Sequence, residues 1–185
     1  MEIAPPTSAV IRTSPSALSA VSGTRKRFLF FAALAVSFDL VTKALATSLL
    51  SDGQAVSLTD RLAFMLVYNT GGAGGLMVGP YTWGINVIVT LIAITMVVRI
   101  VEPLAAVDSR ATLALGLVSG GAAGNLASML TGPEGVADFF AVQLGDAVTI
   151  VMNGADLLLW SGALLLTPVV ARLVNAVRAE RATRA

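Results

Sequence analysis

FLFFAALAVSFDLVTKALATSLL, residues 28–50, is the stretch on which the fold turns. It is mostly apolar and about as long as the 20 residues a helix needs to cross a hydrocarbon core of about 30 Å. The cluster Arg25-Lys26-Arg27 stands immediately before it, and Asp39 and Lys43 interrupt it. A secretory signal peptide would need an unusually long basic region before its apolar run. It would also have to hold Asp39 and Lys43 between that run and a cut near Ala44-Leu45-Ala46. An uncleaved membrane helix is therefore the expectation. Three further apolar stretches of comparable length follow, at about 81–98, 111–130 and 147–170. Four spans predict an all-α integral membrane protein.

Composition points the same way. Of 185 residues, 56% are hydrophobic and only 12% are charged, about half the charge of an ordinary soluble domain. Mean hydropathy is +0.83. A cytosolic enzyme, a disordered chain and a secreted disulfide scaffold are excluded. The net charge of +1 offers no footprint for nucleic acid. With no Cys and no His, a thiolate nucleophile, the usual zinc ligands and a Ser-His-Asp arrangement are all unavailable. Chemistry is left to Asp, Glu, Lys, Ser, Thr, Asn and the backbone.

The segments between spans carry their own signals. Residues 1–24, rich in Ser, Thr, Ala and Pro, read as a disordered tail, residues 25–172 as the four-helix membrane domain and 173–185 as a basic tail. Within 51–79, Leu62–Tyr68 (LAFMLVY) suits a strand. This adds to the four helices a small extended, β-like outer segment between helices 1 and 2. The strand runs into Asn69-Thr70-Gly71-Gly72-Ala73-Gly74-Gly75, whose four glycines mark backbone that bends or approaches something closely. Residues 131–146 form a second polar connection. The third span is rich in Gly, Ala and Ser, which lets membrane helices approach.

Basic residues set the orientation. Arg12, Arg25, Lys26 and Arg27 lie before the first span, Arg99 and Arg110 around the 99–110 loop, and Arg172, Arg178, Arg181 and Arg184 in the tail. The other side has Arg61, with Lys43 near the end of the first span. Both termini are thus expected in the cytoplasm, and the 51–79 and 131–146 connections outside.

A charge inside a span costs roughly 2.5–3.5 kcal/mol on insertion scales, so each needs a reason. Asp39 and Lys43, four residues apart, share a helical face, either as a self-neutralising pair or as a fixed part of a site. Asn153 and Asp156, three apart near the start of the fourth span, share another. Asn125 lies late in the third span, and Asp138 lies in the apolar VADFF of the outer connection. With the topology above, all of these fall at one outer depth. Two carboxylates held close raise one pKa, so that one accepts a proton while the other keeps one. That is a hydrolase without His, Cys or metal. A proton-coupled carrier uses the same residue types, but carriers place their sites at the midplane between repeats.

Five stretches in order resemble the bacterial lipoprotein signal peptidases (signal peptidase II), a family of intramembrane aspartic proteases with four spans. Asp39-Leu-Val-Thr-Lys43 is similar to the family's D-x-x-x-K, and Asn69-Thr-Gly-Gly-Ala-Gly-Gly75 to N-x-G-A-A-F-G. Gly120-Gly-Ala-Ala-Gly-Asn-Leu126 is similar to G-G-A-x-G-N-L, Val136-Ala-Asp138-Phe139 to V-V-D-F, and Asn153-Gly-Ala-Asp156 to N-x-A-D. The resemblance covers about residues 26–172. It implies cleavage of the signal peptide just before a diacylglyceryl-modified cysteine, with Asp138 and Asp156 catalytic. Asp39, Lys43, Asn69, Gly71, Asn125, Asn153 and Ala155 then support the site or substrate. It implies a monomer in the bacterial cytoplasmic (inner) membrane, acting on lipid-modified prolipoproteins among membrane lipids, with no cofactor, metal or nucleic acid. Ser128 and Met129 stand where the family carries Asp-Arg, and Gly72 and Gly74 where it carries Ala and Phe. These departures predict altered substrate preference. The alternatives left open are a paralogue that binds lipidated peptides without cutting them and, from the intramembrane acids alone, a small carrier.

Overall fold

The computed structural model describes residues 15–132, 135–145 and 148–184. Residues 1–14 of the expected tail, and Pro133, Glu134, Asp146 and Ala147 of the second polar connection, lie outside the described residues. Among the described residues, four helices are long and apolar enough to cross a membrane. They are α1 (Pro15–Leu49), α2 (Thr82–Val107), α3 (Arg110–Thr131) and α4 (Gly154–Arg184). At one end of the bundle the connections fold into strands β1 (Val56–Thr59), β2 (Leu62–Asn69), β3 (Val136–Leu144) and β4 (Val148–Met152). These pair antiparallel in the order β1-β2-β3-β4.

Helix α3 is the centre of the bundle because its glycines let two neighbours touch its backbone. Gly116, Gly120 and Gly124 repeat every four residues along the face that meets α1. A Cβ on Gly120 would sit 2.5 Å from the carbonyl oxygen of Ala32, and one on Gly124 would sit 2.4 Å from the Asp39 carboxylate. On the adjoining face a Cβ on Gly121 would fall 2.8 Å from the Ala155 carbonyl oxygen of α4. Lipid tails give apolar helices little reason to associate, so such close packing is what holds membrane helices together. Helix α2 is the most peripheral. Ile88, Val89, Leu91, Ile92 and Met96 are all exposed, as lipid-facing side chains must be.

Three boundaries differ from the sequence reading. Helix α1 begins at Pro15, so the second half of the expected tail is helical. Helix α2 continues through Arg99, Glu102 and Pro103 to Val107, where a loop was expected. Beyond it Arg110 and Arg172 converge on Asp108, at 2.8 and 2.9 Å. The hydrogen bond from Arg110 holds the Asp108 carboxyl down at about 2. This cluster ties the α2–α3 turn to α4. The third difference matters most for the site. The fourth span was read from Ala147, but Val148–Met152 is strand β4 and the helix starts at Gly154. VTIVM is β-branched and apolar, and a hydropathy window runs it into the helix that follows. Pairing with β3, from Phe140↔Met152 to Leu144↔Val148, makes it a strand.

The expected strand at 62–68 is β2, and its main partner is β3, beyond α2 and α3 in the chain. Phe64 and Phe140 stand opposite each other with ring centroids 5.8 Å apart. The same register places Val67 against Asp138 and Asn69 against Val136. Asn69 and Asp138 are therefore diagonal neighbours on one face of the sheet, the spacing at which side chains of adjacent strands interact.

Candidate active site

The N-terminus of α4 organises the polar residues. Asn153 is the residue before the helix, and its side-chain oxygen accepts the backbone N–H of Asp156 at 3.1 Å. The Asp156 carboxylate accepts the backbone N–H of Asn153 at 3.0 Å in return. This reciprocal pair is a capping box, in which two N–H groups with no partner inside the helix are satisfied by side chains. The i, i+3 spacing of Asn153 and Asp156 is thus a cap geometry. Asp156 sits in the first turn of α4, and Asn153 lies outside the helix instead of within a span as the sequence reading had it.

A third N–H of this helix end, that of Ala155, donates to Asp39 Oδ1 of α1 at 2.7 Å. Gly154 permits the approach, since a Cβ there would lie 2.7 Å from Thr42 Oγ1. An anion at a helix N-terminus is favoured by both the free N–H groups and the helix dipole. Asp39 is completely buried and its other oxygen accepts from Lys43 Nζ at 2.6 Å. The pair is an ion pair, and Asp39 also ties it to the same cluster as the other polar residues.

The contacts continue from helix to sheet. Lys43 Nζ also donates to Asn125 Oδ1 at 2.7 Å. That oxygen accepts Asn153 Nδ2 at 3.1 Å, and the same Nδ2 donates to Asp138 Oδ1 at 2.6 Å. Asp39, Lys43, Asn125, Asn153 and Asp138 form one hydrogen-bonded chain from α1 through α3 to β3, with Asp156 joined to it through the cap. Asn69 reaches Asp138 from the neighbouring strand. Its orientation is fixed by the Gly71 N–H, which donates to Asn69 Oδ1 at 2.9 Å.

Burial pushes the Asp138 carboxyl up to about 6. The Asn153 and Asn69 amides and the Lys43 charge oppose the rise, while the charge of Asp156 adds to it. The arrangement is thus two carboxylates bridged by one Asn, one of them buried and able to hold a proton near neutrality. Every site residue expected from the sequence is in or beside this cluster, Gly71 and Ala155 through their backbone N–H groups.

The signal peptidase (SPase) II family model matches residues 31–171. The chain belongs to the signal peptidase II family. Its relatives include the lipoprotein signal peptidase of Mycolicibacterium smegmatis, 38% identical over 152 residues, which are 77% of this chain and 60% of that protein. The lipoprotein signal peptidase of Mycobacterium tuberculosis is 36% identical over 76% of this chain and 69% of its own length. The chain thus spans about three fifths to two thirds of these two relatives. A solved bacterial membrane enzyme, obtained by the in meso method at 2.3 Å resolution, superposes with a TM-score of 0.68 at 25% identity. That match covers 80% of this chain and 88% of the other. Fold and family agree on a multi-pass membrane protein with four spanning helices and a small antiparallel sheet.

Family membership leaves one polar residue without a counterpart among the expected site residues. Asn86 lies in the otherwise apolar α2 and lines a cavity of about 200 Å³ with Asn69, Thr70, Gly71, Trp83 and Met129. An Asn inside a membrane span was the signal available in the sequence.

Proposed function

We propose that this chain is an intramembrane aspartic endopeptidase that removes signal peptides from diacylglyceryl-modified prolipoproteins. The observation that carries the reading is the Asp138–Asn153–Asp156 bridge, with Asp138 buried and its pKa raised to about 6. Asp138 enters the reaction protonated and Asp156 ionised. Asp156 takes one proton from a water whose oxygen attacks the scissile carbonyl carbon, and Asp138 donates its proton to the carbonyl oxygen. The intermediate collapses as that oxygen returns its proton to Asp138. The C–N bond breaks and the proton held by Asp156 passes to the leaving amine.

Asn153 and Asn125 keep the two carboxylates in register, while the Asp39–Lys43 pair anchors them to α1. A site held by packed helix ends and a sheet keeps the tolerance that catalysis requires. The protein works as a monomer in the bacterial cytoplasmic membrane. Its termini are in the cytoplasm, its sheet is at the outer face, and its partners are lipidated prolipoproteins and the surrounding lipids. The names of the relatives above support the substrate class.

The test is incubation of the purified chain with a lipidated prolipoprotein, read as the mass lost with the signal peptide. Wild type is expected to cut, and the Asp138→Asn and Asp156→Asn variants to leave the substrate intact. Ser128 and Met129, where the family carries Asp-Arg, favour a second reading, a lipopeptide-binding relative without turnover. That protein would retain the peptide in a pull-down with no change of mass.

A further inference from the structure

The cavity beside Asn69 has a chemistry of its own. Trp83 and Met129 give it apolar walls, while Asn69, Thr70 and Asn86 supply polar groups. Trp83 Nε1 donates to the Met129 carbonyl oxygen at 2.9 Å, which fixes the start of α2 against the end of α3 and holds the cavity open between them. Asn86 sits half-buried against the glycine strip. A Cβ on Gly72 would lie 2.9 Å from Asn86 Oδ1, so a side chain at 72 would push the amide aside. Among the described residues the Asn86 amide makes no hydrogen bond, although its neighbours Asn69, Thr82 and Trp83 all do. Half-buried and open to the cavity, this amide can pair with a polar group that enters it.

The ligand's chemistry follows from the walls. Among the described residues no cationic side chain lines the cavity, and the nearby Lys43 is already committed to Asp39 and Asn125. A phosphate or carboxylate would enter next to Asp138 without compensation. The Asn86 oxygen lies against Gly72, which leaves the NH2 as a donor for an uncharged acceptor. Because Asn69 both lines the cavity and faces Asp138, whatever occupies the cavity lies close to the reacting bond.

We propose that this cavity is a substrate subsite in which Asn86 donates a hydrogen bond to an uncharged carbonyl of the lipidated peptide. The inference rests on the function proposed above and deepens it. The carbonyl has two possible sources, a peptide bond near the cut or an ester of the diacylglyceryl group.

Steady-state cleavage of a diacylglyceryl-cysteine peptide by the full chain tests it. Asn86→Leu keeps the size and suits a membrane helix but removes the donor. A three- to tenfold loss in kcat/KM, of the order of one neutral hydrogen bond, is expected mainly in KM. Gly72→Ala displaces the same amide and should lose about as much. Combined with Asn86→Leu it should cost nothing more, since the two act on one contact. An ether-linked dialkyl substrate separates the sources. If the Asn86→Leu loss disappears with it, the partner is the ester; if the loss persists, the partner is a peptide carbonyl. Wild-type KM in Asn86→Leu, or a loss confined to kcat, overturns the subsite. A wild-type chain that binds the peptide without cutting removes the proposed function instead. The same loss would then be read in Kd, and an unchanged Kd would remove the subsite too.

Discussion

Replacing Lys43 by Met should separate stability from activity. The ammonium is almost completely enclosed, the Asp39 carboxylate wholly so, and they meet at 2.6 Å. With Met at 43, Asp39 keeps the Ala155 N–H at 2.7 Å but loses its counter-charge in the protein interior. Removing one partner of a buried pair costs about 3–5 kcal/mol. For a chain of this length a loss of 1 kcal/mol lowers Tm by about 2–4 °C, so the expected drop is about 6–20 °C. Replacing both residues, Asp39→Leu with Lys43→Met, removes the stranded charge. An apolar pair of similar volume is often neutral or stabilising, which predicts recovery of most of the lost Tm. Activity should not recover. In the double variant Asn125 Oδ1 has lost its Lys43 donor and the Ala155 N–H its acceptor, so the chain that positions Asn153 against Asp138 is cut at two points. The assay is Trp fluorescence through a thermal ramp in one detergent, paired with initial rates on a lipidated peptide. A single variant that melts within a degree of wild type, or a double variant as unstable as the single, refutes the reasoning about burial. A double variant with wild-type turnover refutes the positioning role.

Other expectations follow from the same contacts. Asp138→Asn and Asp156→Asn should each abolish nearly all cleavage, and the double Asn variant should be scarcely worse than either, because groups that act as a unit lose activity non-additively. Initial rates with membrane abundance matched check this. The rate should fall as pH rises through about 6, where Asp138 loses the proton that the reaction uses. A kcat/KM profile whose alkaline limb lies far above 6 contradicts that assignment. For orientation, a single cysteine at Ser57 should label with an impermeant reagent in intact cells and one at Ser109 should not. Gly124→Ala would drive a Cβ to 2.4 Å from Asp39 Oδ2, so it should lower both Tm and turnover. Alanine at Gly53, where nothing lies within 4 Å but φ is +75°, should cost some stability through backbone strain and still spare turnover.

Hydropathy over about 20 residues is a local quantity, and by it the sequence alone marked the four spans and the intramembrane polar residues that had to meet, while the short apolar run LAFMLVY marked the strand at 62–68. What it could not see was contact between distant parts of the chain. Residues 148–152 are as apolar as the helix after them. They became a strand because Val136–Leu144 offered backbone hydrogen bonds, and the change to helix was marked only by Asn153 acting as a cap. Asp39 was legible as a buried charge, but its acceptor role for Ala155, 116 residues away, depended on Gly124 and Gly154 letting three helices close around it. Asn86 needed no structure to be noticed as polar among apolar neighbours. That it faces the glycine strip and a cavity beside Asp138 is a matter of helix rotation, which packing at Trp83 and Gly72 decides and no local pattern encodes.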